Sequence, residues 1–132
     1  MLKDIDHIGI LVSDLNKIRD IYDKAFGLQP DFEEVLDSQK IKLIGYNIGN
    51  VAIEFFQSLS PDSAVTNFLE KRGNAIHHIA FKVQNIDSKL KELVEKGFIL
   101  IDKKAKLGAN RKKIAFLHPK SFEGILIELC EK

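Results

Sequence analysis

The chain has 132 residues, 45% of them hydrophobic, which suits one domain with a buried core. Its 20 basic and 19 acidic residues give a net charge of +1, and their scattered placement argues against a nucleic-acid-binding surface or a polybasic membrane anchor. Because there is one cysteine, Cys130, and no apolar stretch near the roughly 20 residues of a membrane span, we expect a soluble, cytoplasmic protein without an internal disulfide.

The first half of the sequence predicts a strand, a helix and three further strands. The opening strand covers about 4–12, and the helix covers about 14–26 and is ended by Gly27. Three strand-like runs follow, of which the last two are joined by the turn sequence Ile-Gly-Asn; they lie at about 32–36, 40–48 and 51–57. Ser63 is then predicted to cap a short connecting helix that Gly73 ends.

The second half repeats this order. A strand at 76–83 is followed by a helix at 87–96 with Gly97 as its stop signal. Three further runs are predicted as strands, at 98–102, 112–118 and 125–131. Both halves therefore have the order βαβββ. We predict a single domain with modules at about 1–58 and 74–132 and a linker helix at about 59–73.

Two adjacent histidines open the strand of the second half, and the repeat distinguishes between them. A constant offset of 71 residues pairs His7 with His78 and places His77 opposite Asp6. Side chains on a strand alternate between its faces, so His77 and His78 point in opposite directions. We therefore expect His78 to share an inward-facing site with its counterpart, and His77 to point away.

Each half also closes with a glutamate in an apolar strand, Glu54 in the first and Glu128 in the second. Taken singly, such a glutamate is usually exposed at a sheet edge, and a histidine at a strand start is usually structural. A carboxylate among apolar residues is costly unless it is paired or bound to a metal. The residues two places after the site histidines, Gly9 and Ala80, are small and leave room beside an imidazole. Two histidines and two glutamates at equivalent places suit an octahedral divalent ion such as Co²⁺, Ni²⁺, Mn²⁺ or Zn²⁺.

Paired βαβββ modules, each with an opening histidine and a closing glutamate, resemble the vicinal oxygen chelate superfamily. That superfamily includes glyoxalase I, extradiol dioxygenases and metal-free antibiotic-binding proteins. Within it the sequence is most similar to the methylmalonyl-CoA epimerase family, through "HPKS" and a following Gly before "ILIEL" near the end of the chain. The stretches that carry this likeness are 6–15, 50–63, 68–87 and 106–132. The implied fold is α+β, with the two modules forming a cupped eight-stranded mixed sheet around a metal site.

The resemblance also implies the roles of particular residues. Four side chains fall on the metal positions of the family: His7, Glu54, His78 and Glu128. The implied reaction is a 1,2-proton transfer through a metal-stabilised enolate, with Glu128 as the first candidate for proton transfer and Glu54 as its partner. The expected substrate contacts are Gln39, His118 and Lys120. The expected partner is a small acyl-CoA substrate, and the expected assembly is a homodimer.

The sequence departs from the family pattern at three places, the first of which is Glu54, where some relatives carry a glutamine. Leu43 stands where some relatives carry a separate base, and Lys40 stands where the family has a glycine, so the second proton-transfer group and the substrate fit are open. The basic run 103–113 is either a solvated loop or a phosphate contact, and in the epimerase interpretation its part 106–113 could meet the anionic carrier. Two alternatives to the epimerase remain: a glyoxalase-I-type lyase, which the His/Glu/His/Glu set favours, and a metal-free binding protein.

Overall fold

The computed structural model describes residues 2–131, which contain eight β-strands and three α-helices. In chain order these are β1 (Ile5–Leu11), α1 (Leu15–Phe26), β2 (Phe32–Leu36), β3 (Ile41–Ile48), β4 (Val51–Ser58), α2 (Thr66–Arg72), β5 (Ala75–Val83), α3 (Ile86–Glu95), β6 (Lys106–Leu107), β7 (Lys113–Leu117) and β8 (Ile127–Glu131). Short 3-10 turns occur at Ala109–Arg111 and Pro119–Ser121. The strands pair in both parallel and antiparallel fashion, which confirms the predicted α+β class and the twofold βαβββ order.

The contacts within the chain define two compact units. The central unit comprises Ile8–His77, and the terminal unit comprises the residues up to His7 together with those from His78 onward. The boundaries fall within β1 and β5, so each of these strands contributes residues to both units. The sequence-based module bounds stay a prediction.

In the central unit the strand order is β2-β3-β4-β1. Helix α1 begins after Asp14, whose side chain accepts hydrogen bonds from the N–H groups of Asn16 and Lys17, and it ends at Gly27 with a φ of 65°. Its apolar side packs on a core that contains the residues Val12, Leu15, Ile44, Tyr46 and Phe55. In the β3/β4 ladder Gly45 lies directly opposite Glu54, so the carboxylate faces a position without a side chain.

In the terminal unit, which includes the first residues of β1, the strand order is β1-β5-β8-β7-β6. Strands β5 and β8 run parallel, whereas β7 and β8 run antiparallel. These two registers place Glu128 between Ala80 on β5 and Phe116 on β7. Helix α3 packs on the face of these strands that lies opposite the Glu128 side chain. The core on that face contains the residues Val83, Ile86, Leu90, Leu100, Ala115, Leu117, Ile127 and Leu129.

Two predicted details are wrong. Residues 98–102 form no strand, because Leu100 makes a single bridge to Leu117 and the Asp102 carboxylate accepts the Phe116 N–H in place of a ladder partner. In place of the strand predicted at 98–102, this half contains the shorter strand β6 (Lys106–Leu107). Ser63 does not cap α2, whose N-cap is Val65, since the Ser63 hydroxyl donates to the Gln39 carbonyl instead. None of the helices within residues 2–131 is long and apolar enough to cross a membrane.

Candidate metal centre

Three buried side chains of the terminal unit converge on one point: His7, His78 and Glu128. The Nε2 atoms of the two imidazoles are 3.0 Å apart. The Glu128 carboxylate reaches both rings, with Oε2 at 3.2 Å from Nε2 of His7 and Oε1 at 3.5 Å from Nε2 of His78. The three residues are 5%, 8% and 3% exposed, so water has little access to them. We refer to them as the His-His-Glu cluster.

The strand registers explain why this cluster forms. Residues that lie directly opposite each other in a sheet point to the same face, and so do residues two places apart on one strand. Glu128 lies opposite Ala80, and Ala80 is two places after His78, so the carboxylate and the imidazole share a face. Ala80 is fully buried, and its methyl group leaves room between them. On the other side, Phe116 packs edge to face on His78 with ring centroids 5.4 Å apart, which supplies an apolar wall.

The donor set and its spacing fit a divalent metal ion. Imidazole nitrogens and a carboxylate are ordinary ligands of such ions. Two ligand atoms at right angles, each about 2.1 Å from an ion, lie about 3.0 Å apart. The three contacts of 3.0, 3.2 and 3.5 Å are close to that separation. A bound cation would also compensate the charge of Glu128, which is costly to bury in apolar surroundings.

Two charged side chains, Asp6 and Lys112, extend the hydrogen bonding of His7 away from the cluster. Nδ1 of His7 lies 2.7 Å from Oδ2 of Asp6, and Oδ1 of Asp6 accepts a hydrogen bond of 2.9 Å from the Lys112 ammonium. Burial raises the pKa of Asp6, but the hydrogen bonds from His7 and Lys112 outweigh it and leave that pKa well below its ordinary range. The sequence reasoning missed both residues. Strand alternation separates Asp6 from His7, and Lys112 lies 106 positions along the chain from Asp6.

The fourth predicted ligand, Glu54, lies on β4 of the central unit and is 8% exposed. Its position relative to the His-His-Glu cluster stays a prediction. His77 also belongs to the central unit, where it packs edge to face against the rings of Phe56 and Phe68. Burial, with a smaller effect of the Arg72 charge, lowers the pKa of His77 to about 4. These apolar surroundings give His77 a packing role and keep its ring neutral at physiological pH.

The comparison with known families decides the classification. Residues 6–116 match the sequence profile of the glyoxalase/bleomycin resistance protein/dioxygenase superfamily. The chain belongs to this superfamily. The vicinal oxygen chelate resemblance is therefore confirmed at the level of the family, and the His-His-Glu cluster is a buried candidate metal site in one of its members.

Relatives within the superfamily match nearly the whole chain. An uncharacterized Bacillus subtilis protein, YqjC, is 39% identical over 96% of this chain and 91% of its own length. An ethylmalonyl-CoA/methylmalonyl-CoA epimerase of Cereibacter sphaeroides is 32% identical over 98% of both chains. Among solved structures, a Streptomyces coelicolor methylmalonyl-CoA epimerase variant in complex with 2-nitronate-propionyl-CoA has a TM-score of 0.94 and 31% identity. That match covers 100% of this chain and 96% of the other.

The remaining predicted site residues of this superfamily member have local roles in the structure. The carbonyl of Gln39 accepts the Ser63 hydroxyl in the turn before β3. Nδ1 of His118 accepts the N–H of Lys120, which starts the 3-10 turn Pro119–Ser121 and leaves Lys120 exposed. Leu43, at the place of the separate base in some relatives, is 3% exposed in the core of β3. Substrate contacts by Gln39, His118 and Lys120 remain predictions.

Proposed function

We propose that this chain is an epimerase that interconverts the two C2 epimers of methylmalonyl-CoA. The observation that carries the proposal is the buried His-His-Glu cluster, in a chain whose relatives named as methylmalonyl-CoA epimerases match it over nearly its full length. One solved relative is named as holding 2-nitronate-propionyl-CoA, which indicates the class of ligand. The substrate we assign is correspondingly an acyl thioester of coenzyme A.

The ligands that we assign to the metal are His7, His78 and Glu128, with Glu54 as the fourth. The ions that suit this set of two imidazoles and two carboxylates are Co²⁺, Ni²⁺, Mn²⁺ and Zn²⁺. When bound, such an ion supplies Lewis acidity toward the oxygens that flank C2 of the substrate. The binding of the ion depends on the state of His7, whose ring contacts Asp6 through Nδ1 and the cluster through Nε2.

Proton transfer falls to the carboxylates of this chain. Epimerisation needs one group to take the C2 proton from one face and a second group to return a proton on the opposite face. We assign Glu128 to one face, because its buried carboxylate lies at the cluster, 3.2 and 3.5 Å from the rings of His7 and His78. We assign Glu54 to the other face, since the buried Leu43 cannot carry a proton.

The anionic carrier requires contacts outside the cluster. We propose that Gln39, His118 and Lys120 contact the substrate, and that the basic run 103–113 meets the phosphates of coenzyme A. Lys120 suits this role because it is exposed and lies within the turn Pro119–Ser121, which the His118 side chain caps. Such surface lysines attract a polyanionic ligand through long-range electrostatics, so substrate binding should weaken as the salt concentration rises.

The proposal is tested by hydrogen exchange at C2. The protein, reloaded with Co²⁺, is incubated with a single epimer of methylmalonyl-CoA in deuterated water, and deuterium at C2 is followed by mass spectrometry. His78→Ala under the same conditions measures the uncatalysed background. We expect deuterium uptake above that background together with appearance of the other epimer. Uptake no faster than the background, together with turnover of the thiol hemithioacetal of methylglyoxal, would contradict the epimerase and favour the glyoxalase-I-type lyase.

A further inference from the structure

A chain of hydrogen bonds runs from the surface of the terminal unit to the His-His-Glu cluster. It begins at Lys112, whose side chain is 35% exposed, passes through the buried carboxylate of Asp6 and ends at Nδ1 of His7. The two oxygens of Asp6 have different partners, because Oδ1 faces the ammonium and Oδ2 faces the imidazole. The geometry of this carboxylate is therefore fixed from both sides.

The backbone before Lys112 is held in an unusual conformation. Asn110 and Arg111 are consecutive non-glycine residues with positive φ, at 57° and 58°. Asparagine tolerates this left-handed region, whereas arginine does so at a cost. The turn is closed by hydrogen bonds from Gly108 N–H to the Lys112 carbonyl and from Lys112 N–H to the Ala109 carbonyl. This backbone conformation precedes Lys112, whose ammonium contacts Asp6. A residue in a strained backbone conformation keeps it only where the surrounding structure holds it there.

We propose that Asp6 and Lys112 are positioning residues that keep the ring proton of His7 on Nδ1 and so leave Nε2 as the metal ligand. An ammonium can only donate, and an ionised carboxylate can only accept. The atom of His7 that faces Asp6 must therefore be the protonated nitrogen, and the lone pair of the neutral ring lies on Nε2, where it faces the cluster. This inference rests on the metal site of the proposed function.

The substitution Asp6→Asn should reverse this arrangement. Lys112 still needs an acceptor and takes the amide oxygen, so the amide NH₂ group faces His7. Since that group can only donate, Nδ1 must accept and the ring proton moves to Nε2, which blocks the ligand atom. Substitution of a residue that orients a metal ligand through a hydrogen bond typically lowers metal affinity by about 10- to 100-fold, and we expect a loss in that range.

Removal of the Lys112 ammonium should change the metal affinity in opposite directions in the wild-type protein and in Asp6→Asn. In the wild-type background, Lys112→Met leaves Asp6 held from one side only, so metal binding weakens, though less than in Asp6→Asn. In the Asp6→Asn background, Lys112→Met releases the amide oxygen to accept from His7, so binding becomes stronger. A purely electrostatic effect of the ammonium would instead strengthen binding of a cation in both backgrounds. A double-mutant cycle therefore separates positioning from charge.

The experiment measures Co²⁺ affinity by competition with a chelator for the wild type, Asp6→Asn, Lys112→Met and the double variant. The tautomer of His7 is read from imidazole nitrogen shifts by NMR in the metal-free proteins. The matched control is Lys89→Met, because Lys89 is 31% exposed, pairs with Glu92 at 2.7 Å and belongs to the same unit. The rescue variant is Lys112→Arg. Thermal unfolding of each variant checks that it is folded.

We expect the ring proton of His7 on Nδ1 in the wild type and on Nε2 in Asp6→Asn. Lys112→Met should lower the Co²⁺ affinity of the wild type and raise that of Asp6→Asn. The Co²⁺ affinity of Lys89→Met should stay within about twofold of the wild type, and Lys112→Arg should retain most of it. A proton that stays on Nδ1 in Asp6→Asn, or equal gains in affinity from lysine removal in both backgrounds, would overturn the positioning role. Failure of the wild type to bind Co²⁺ would overturn the metal site itself, so the two failures are distinguishable.

Discussion

The surroundings of His77 predict that this side chain makes the protein less stable at low pH. Its ring packs against Phe56 and Phe68, and its pKa is lowered from the ordinary 6.5 to about 4, by burial first and by the Arg72 charge second. The folded state therefore binds this proton more weakly than the unfolded state. The stabilising contribution is fully present above the unfolded pKa of 6.5 and is lost as the pH falls through 6.5 toward 4.

The lowering of the pKa fixes the size of this effect. A difference between 6.5 and about 4 corresponds to at most about 3 kcal/mol, and the partial exposure of the ring reduces this to about 2 kcal/mol. His77→Phe removes the titrating group and keeps an aromatic ring among the two phenylalanines, so the variant should lose correspondingly less stability between pH 7.5 and pH 4.

The assay is urea unfolding followed by circular dichroism at several pH values between 7.5 and 4. A chelator is present in both proteins so that metal binding does not contribute. The difference between the two free energies of unfolding isolates His77, because the other titrating groups are common to both chains. Parallel stability curves for the wild type and His77→Phe would refute the reasoning from burial.

Three further predictions concern the cluster. His7→Ala and His78→Ala should abolish tight metal binding, measured by metal analysis after gel filtration, whereas His77→Phe should leave the metal content unchanged. Glu128→Gln should retain part of the metal through its amide oxygen but lose about 10²- to 10⁴-fold in C2 exchange per bound metal, because it can no longer take a proton. Ala80→Leu should cost about 1–3 kcal/mol in urea unfolding and weaken metal binding, since the added atoms occupy the space beside Glu128; normal binding in that variant would contradict the packing argument.

The periodicity of the strands and the internal repeat predicted most of the fold and the three residues of the candidate metal cluster. His7, His78 and Glu128 occupy equivalent or closing positions of βαβββ units, and strand alternation selects which side chains share a face. The structure brings these three together within hydrogen-bond or ion-pair distance. A repeat with a constant offset is a strong signal because it links residues that are distant along the chain.

Sequence reasoning failed where a side chain replaces a backbone partner or reaches around the strand. The apolar run 98–102 has strand-like composition, but the Asp102 carboxylate takes the N–H of Phe116 that a ladder would use. Asp6 bonds to the ring of its own neighbour, His7, although alternation assigns them to opposite faces. Its second partner, Lys112, follows two residues in the left-handed region, Asn110 and Arg111, and neither of these is a glycine that would predict the turn.

The most direct test of the account is the position of a metal ion in crystals grown with Co²⁺, measured by anomalous scattering at the cobalt edge. We predict a single strong peak about 2.0–2.3 Å from Nε2 of His7, Nε2 of His78 and an oxygen of Glu128, with Glu54 as the fourth protein ligand. A peak bonded to other residues, or no ordered cobalt at this cluster at saturating Co²⁺, would contradict the claim that these side chains hold the catalytic ion.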